Sequence, residues 1–403
     1  MFGKSEIMVA GTVAAATMMA AGLLGLAPAQ AARALTVSVP CSVRALVLDL
    51  TSVSSAEELN LARGCTYLLS QGLPVVSEDL TILGKGATLE RSYAPGTPAF
   101  IILQSQAASL TVSRLSFRNG DGGISMGGGG ELTVNGGTFT GNTAADGGAI
   151  SEPNSGYNGP VVSGATFIDN RATDSGGAIG DAAAGDGIQV TDCTFSGNAA
   201  ANFGGAISDF ADGESVVGSL FLRNKAGNGG ALFLDPNGSA GVSGDVFDGN
   251  SATGDGGAVY GQYGLGMDNS KFSDNHAGDT GGGLYIDPIG IDVTVSATDF
   301  TGNSANDGGA IGNFGLVSTD LTDVTISGNH ASMYGGGIYN VTYVDALNTQ
   351  ITRNSAGSGG GGIYDDASID GQNFTTPTLT NSPVLDNKPD NCEPLGSIPG
   401  CTG

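Results

Sequence analysis

The chain has 403 residues with 70 glycines, no tryptophan, and 14 lysine plus arginine against 39 aspartate plus glutamate residues, for a net charge of −25. That charge argues against nucleic acid and anionic membrane as partners, because both are polyanions. So much glycine without a Gly-X-Y period excludes collagen, and 40% apolar residues argue against plain disorder.

Residues 1–31 read as a secretion signal: Lys4, an apolar stretch from Ile7 to Leu26, then Ala29-Gln30-Ala31 as a small-x-small cleavage site. Cleavage after Ala31 is expected, the alternative for so long a stretch being an uncleaved anchor. No second apolar run approaches membrane-spanning length, so no membrane contact is expected after cleavage. Export permits disulfides. The expected bridges are Cys41–Cys65 at one end and Cys392–Cys401 at the other. Cys193 stands alone and is expected to be a buried free thiol, since it shares strand parity with Phe195.

Residues 32–66 form a predicted N-terminal cap. Within it Val43, Leu46, Val47 and Leu50 fall at i, i+3, i+4 and i+7 behind Ser42, which reads as a short amphipathic helix with its N-cap. From Leu80 the pattern changes to short β runs, Leu80–Leu83, Phe100–Leu103 and Leu110–Val112, separated by Gly, Pro and Ser.

Between Phe117 and Ile351 one pattern occurs ten times. An apolar residue precedes Asn: Phe117/Asn119, Phe139/Asn142, Phe167/Asn170, Phe195/Asn198, Phe221/Asn224, Phe247/Asn250, Phe272/Asn275, Phe300/Asn303, Ile326/Asn329 and Ile351/Asn354. From the second copy onward Gly-Gly follows the Asn by five or six residues, and then an aliphatic residue. A second apolar column stands five residues before each Phe, at Val134, Val162, Val190, Val216, Val242, Met267, Val295 and Leu321, with Ala346 last. A fixed period of this length means stacked structural repeats. Phe would stack ring on ring at the ~4.8 Å strand spacing. Asn would accept left-handed turn geometry and ladder its amides from coil to coil. The expected fold is all-β: a right-handed parallel β-helix of about ten to twelve coils over residues 67–388, with a disulfide-closed tail at 389–403.

Phe139-Thr-Gly-Asn142 with Gly147-Gly-Ala-Ile150, and Phe300-Thr-Gly-Asn303 with Gly308-Gly-Ala-Ile311, resemble the repeat of chlamydial polymorphic outer-membrane proteins. The resemblance covers roughly residues 117–364 and is shared with secreted actinobacterial β-helix proteins. It implies a pectin-lyase-type β-helix and an adhesive surface role. Unlike the outer-membrane proteins, this chain shows no membrane barrel and no wall-sorting Leu-Pro-x-Thr-Gly tail, so plain secretion is expected. The hydrolases of this superfold carry Gly-His-Gly and Arg-x-Lys, and neither signature is expected here; Gly-His-Gly does not occur.

Three places could carry chemistry. One step past the inward aliphatic residues come Phe233, Tyr260, Tyr285, Tyr339 and Tyr364, and two positions further Asp235, Asp287 and Asp366. Strand parity turns all of them outward, as a groove for a glycan or a partner protein or as a simple stacking column. Acidic turns before Gly-Gly (Asp121, Asp146, Asp174, Asp255, Asp279, Asp307) either cap backbone or bind calcium, with Asp146, Asp255 and Asp307 as ligands. His276 and His330 follow the repeat Asn and are expected in exposed turns. The leading expectation is a monomeric, secreted, non-enzymatic β-helix that binds glycan or protein. A polysaccharide lyase or glycoside hydrolase, and a calcium-stiffened structural exoprotein, are the alternatives.

Overall fold

The computed structural model describes residues 35–402, apart from 56, 153–158, 182–184, 186, 235–238, 290–292, 316–317, 367–375 and 397. The secretion-signal segment and Asp235 lie outside the described residues.

The chain winds as a parallel β-helix of about thirteen turns. Each repeat contributes two strands to a long, 25-stranded sheet and one to a 12-stranded sheet, while short strands after the Asn form a two-stranded and a six-stranded sheet joined by bridges at Ala199. Equivalent residues pair coil on coil. On the first strand of the long sheet the register runs Val134, Val162, Val190, Val216, Val242, Met267, Val295, Leu321, Ala346. These nine side chains are all at most 2% exposed. On the second strand the register runs from Phe117 through eight rings to Ile326, Ile351 and Val384. The eight rings stack with centroids 4.6–5.0 Å apart and planes within 16° of parallel. The aliphatic residue after Gly-Gly opens the 12-stranded sheet and faces the same interior, from Ile150 to Ile363.

Asn is kept for its side chain. From Asn142 to Asn354, each repeat Asn gives its backbone N–H and its Nδ2 to Oδ1 of the Asn one coil on, at 2.8–3.1 Å. The same Nδ2 also donates to a backbone carbonyl one coil back, as Asn250 does to Phe221. This corrects the turn-geometry expectation: left-handed φ falls on the preceding residue, such as Gly141 (+63°) or Asp169 (+52°), not on the ladder Asn. Two further corrections follow. Asn119 is outside the ladder, for Gly120 holds its position and donates its N–H to Asn142 Oδ1. The ladder also gains Asn387, beyond the last repeat read from the sequence.

Gly-Gly is required by space. Gly147 has φ +59°, and a Cβ on Gly148 would lie 2.4 Å from the carbonyl oxygen of Gly177 on the next coil.

Both ends are closed. The helix Val43–Thr51 starts at Ser42, whose hydroxyl accepts from the Ala45 N–H, and it buries Leu46 and Leu50. Cys41–Cys65 and Cys392–Cys401 are bridged. The spiral extends into both predicted caps. Thr36–Val39 already lies on Glu57–Leu61, and Cys392–Glu393 lies on the strand Ile363–Asp365.

Candidate functional site: the outer aromatic face

The middle residues of the 12-stranded sheet point away from the core, because alternate side chains of a strand face opposite sides. There the rings form a second, outer column: Phe203, Phe233, Tyr260, Tyr285, Phe314, Tyr339, Tyr364. Successive centroids lie 4.3–5.6 Å apart. Phe314 repairs the gap at Gly312, which pairs between Tyr285 and Tyr339. A Cβ at Gly312 would meet Thr280 Cγ2 at 2.3 Å, so the ring comes from two residues further along the chain. Phe203, Phe210, Phe314 and Tyr334 all touch the column and were missed in the sequence. Phe314 was legible there, since it shares parity with Gly312.

The column is far more covered than a free groove. Phe233, Tyr285 and Tyr339 are 3%, 8% and 9% exposed. Tyr260 and Tyr364 are half-buried and, with Asp287 and Asp366, form the accessible part. The Tyr260 hydroxyl donates to Asp287 Oδ2, and the Tyr339 hydroxyl donates to Asp366 Oδ2 at 2.7 Å. Burial, followed by these acidic neighbours, holds the Tyr260 and Tyr339 phenols well above the usual tyrosine range. They are therefore neutral hydrogen-bonding groups at any physiological pH.

The turn carboxylates are already engaged. Asp146, Asp255 and Asp307 accept from the backbone N–H of Ser175, Thr280 and Tyr334, each on the next coil, at 3.0–3.1 Å. Burial raises the pKa of all three. Among the described residues no three His, Cys, Asp or Glu side chains converge as metal ligands would. His276 and His330 are exposed, but they open the short strands His276–Ala277 and His330–Tyr334 instead of lying in turns, each within hydrogen-bond distance of a serine hydroxyl on the next coil. Cys193 is buried and free, 3.3 Å from the Thr191 carbonyl, and burial pushes its thiol up to about 11. One Arg-x-Lys tripeptide does occur, Arg223-Asn224-Lys225. Its centre is a buried ladder Asn, and the exposed residues on either side are Arg223, at φ +51°, and Lys225, which opens the short strand Lys225–Ala226. Arg63, Lys85 and Arg114, from successive coils, line an open cleft of about 550 Å³ that the sequence reading also missed.

Residues 192–208, 246–262 and 323–341 match the model of the Chlamydia polymorphic membrane protein repeat. All three matches fall on the rungs described above. No curated protein matches the chain. Among solved structures the chain is similar to tailspike protein 3 of bacteriophage CBA120, at 10% identity and a TM-score of 0.38. The match covers 86% of this chain and 59% of the tailspike, so the chain spans less than two thirds of its length.

Proposed function

We propose that this is a secreted, non-enzymatic β-helix that presents a long rigid surface outside the cell and binds an uncharged glycan along its outer aromatic face. The observation that carries this reading is the pairing of the Tyr260 and Tyr339 phenols with Asp287 and Asp366 at the edge of a stacked aromatic column. Aromatic faces pack against the C–H faces of sugars, while carboxylates and phenols accept and donate to their hydroxyls. Two disulfides support an oxidising, extracytosolic setting, because cytosolic thiols are kept reduced. The polymorphic membrane protein repeats support a surface role.

Replacing Tyr364 by alanine should weaken binding to neutral oligosaccharides about tenfold, the order of 1–1.5 kcal/mol for one lost ring contact. A glycan array followed by titration calorimetry reads this. Tyr364 lies at the accessible edge, so the melting point should move little. If no neutral glycan binds, or if Tyr364→Ala and Tyr260→Ala leave every bound glycan unaffected, this face is a stiffening column and not a binding surface. Incubation with uronate polysaccharides should release neither unsaturated products nor reducing ends. Release of either would make the chain an enzyme.

A further inference from the structure

The 12-stranded sheet carries an unusual interior column near its N-terminal end. Glu152, Asp181 and Asp209 pair in register on three successive coils. Each stands two residues after an inward isoleucine, so each points into the core. Across the interior the long sheet contributes Glu214, where the preceding coil has Ile188 and the following coil Ala240. The four are 5%, 1%, 0% and 3% exposed. Asp209 accepts from the N–H groups of Ile188 and Ala211 at 2.7 and 2.9 Å. Both carboxylate oxygens of Glu214 and Oε1 of Glu152 are buried without a hydrogen-bond partner among the described residues.

The same column shows what a satisfied version looks like. Six coils further on, Asn313 Nδ2 donates to Asn340 Oδ1 at 2.7 Å, and Asn340 Nδ2 donates to Asp365 Oδ1 at 2.8 Å. Thr319, in the position of Glu214, donates its hydroxyl to Asn313 Oδ1 at 2.9 Å. There each amide oxygen meets a side-chain donor, and Asp365 closes the row as an acceptor. In the acidic coils carboxyls replace side-chain amides, and Glu152 Oε1 and both oxygens of Glu214, which meet no donor among the described residues, gain one when a carboxyl is protonated. The neighbours in the two columns are Met126 and Leu234, and Ile188 and Ala240, none of them charged. Asp212 adds a further negative charge near Glu214. Among the described residues no basic side chain lies within ion-pair distance of Glu152, Asp209 or Glu214.

We propose that Glu152, Asp181, Asp209 and Glu214 form a proton-holding latch, closed while the carboxyls are neutral and loosened as they ionise, which makes these coils a pH-sensitive weak point of the solenoid. Protons fit the site better than a metal because no three of the carboxylates converge on one point. Burial, then the mutual charges, raise Glu152 to about 8 and Glu214 to about 9, and burial raises Asp209 to about 6. Unfolded carboxyls lose their protons near pH 4. Between that value and about 9 the folded chain therefore holds more protons than the unfolded one, and stability falls as pH rises.

The test is amide hydrogen exchange on the whole mature chain between pH 5 and 9, corrected for intrinsic exchange. The strands Ile150–Glu152, Ile179–Asp181 and Ile207–Asp209 should open more readily with rising pH, by about tenfold per pH unit for each group titrating. The strand Ile311–Asn313, whose Asn313 bonds the Asn340 amide and the Thr319 hydroxyl, should not follow them; Ile338–Asn340 is not used because Asn340 bonds Asp365, whose pKa burial raises. Asp245, raised to about 7 by burial, titrates elsewhere in the core, so the comparison is local and is repeated in Asp245→Asn. Glu214→Leu, which continues the aliphatic column, should flatten the response, and so should Glu214→Gln. Should either variant fail to fold, the wild-type comparison alone still decides. Equal pH dependence in both sets of strands would overturn the latch. So would full restoration at pH 9 by millimolar calcium, which would make a cation the occupant.

Discussion

Replacing Asn250 by alanine is expected to lower the unfolding free energy by about 4 kcal/mol, at roughly 1–3 kcal/mol for each buried polar group left unpaired. Oδ1 of Asn250 accepts both the backbone N–H and the Nδ2 of Asn224, and its own Nδ2 donates to the Phe221 carbonyl. Alanine takes a partner from all three, leaving the Asn224 N–H unpaired, Asn224 Nδ2 with only the Phe195 carbonyl and the Phe221 carbonyl without its side-chain donor, in a place with no water, since Asn224 and Asn250 are 0% exposed. Asn250→Asp keeps the acceptor but turns a donor into an oxygen facing the Phe221 carbonyl and Asn275 Oδ1. It should cost at least as much at neutral pH and recover partly at low pH, where a protonated carboxyl supplies one donor. Ser251→Ala, on the neighbouring half-exposed position, should change stability by less than about 0.5 kcal/mol. Urea unfolding of the three variants measures this. A cost below about 1 kcal/mol for Asn250→Ala would mean the ladder is not a main stabilising element.

Phe247→Ala should cost about 3–5 kcal/mol, the usual range for emptying a fully buried phenylalanine site. Its ring lies between Phe221 at 4.8 Å and Phe272 at 4.6 Å, so no neighbour can swing in without breaking its own stack. The more discriminating pair replaces Phe by Leu. At Phe247 leucine loses two ring contacts. At Phe300 it loses one, because the next rung is Ile326. With about 0.5–1.5 kcal/mol for each aromatic pair, Phe247→Leu should be the worse by about 1 kcal/mol. Equal costs, measured by the same urea transitions, would show that the rings act by volume alone.

The columns were legible because each depends on residues a constant distance apart within one rung. Phe167, Val162 and Asn170 keep the same spacing as their counterparts from the second copy onward, so strand, inward face and ladder could all be read from them. Errors came where the rung itself changed. Asn119 sits one residue early, and only the hydrogen bond from Gly120 shows that the ladder position has no side chain there. Asn387 follows Asn354 by 33 residues, beyond the period of the other repeats, so the Val384/Asn387 copy was passed over. On the outer face parity was right but burial was not, because Phe203, Phe210 and Phe314 come from the loops of variable length and pack onto the column. The interior carboxylates were within reach of the same parity rule. Ile150, Ile179 and Ile207 were read as inward, and the acids two residues later had to follow them. What the sequence could not show was that Glu214, from a different sheet, meets them across the core.

The central claim is that each repeat is one interchangeable rung. Deleting residues 225–250, one full 26-residue step of the ladder including Asn250, joins Asn224 to Ser251 in register and should leave a shorter solenoid. Its far-ultraviolet circular dichroism per residue should be unchanged, and it should still unfold cooperatively. A deletion of half that length should not fold, because it throws every later Phe and Asn out of its column. If the full-rung deletion is unfolded while the half-rung deletion is not, the stacked-rung account is contradicted.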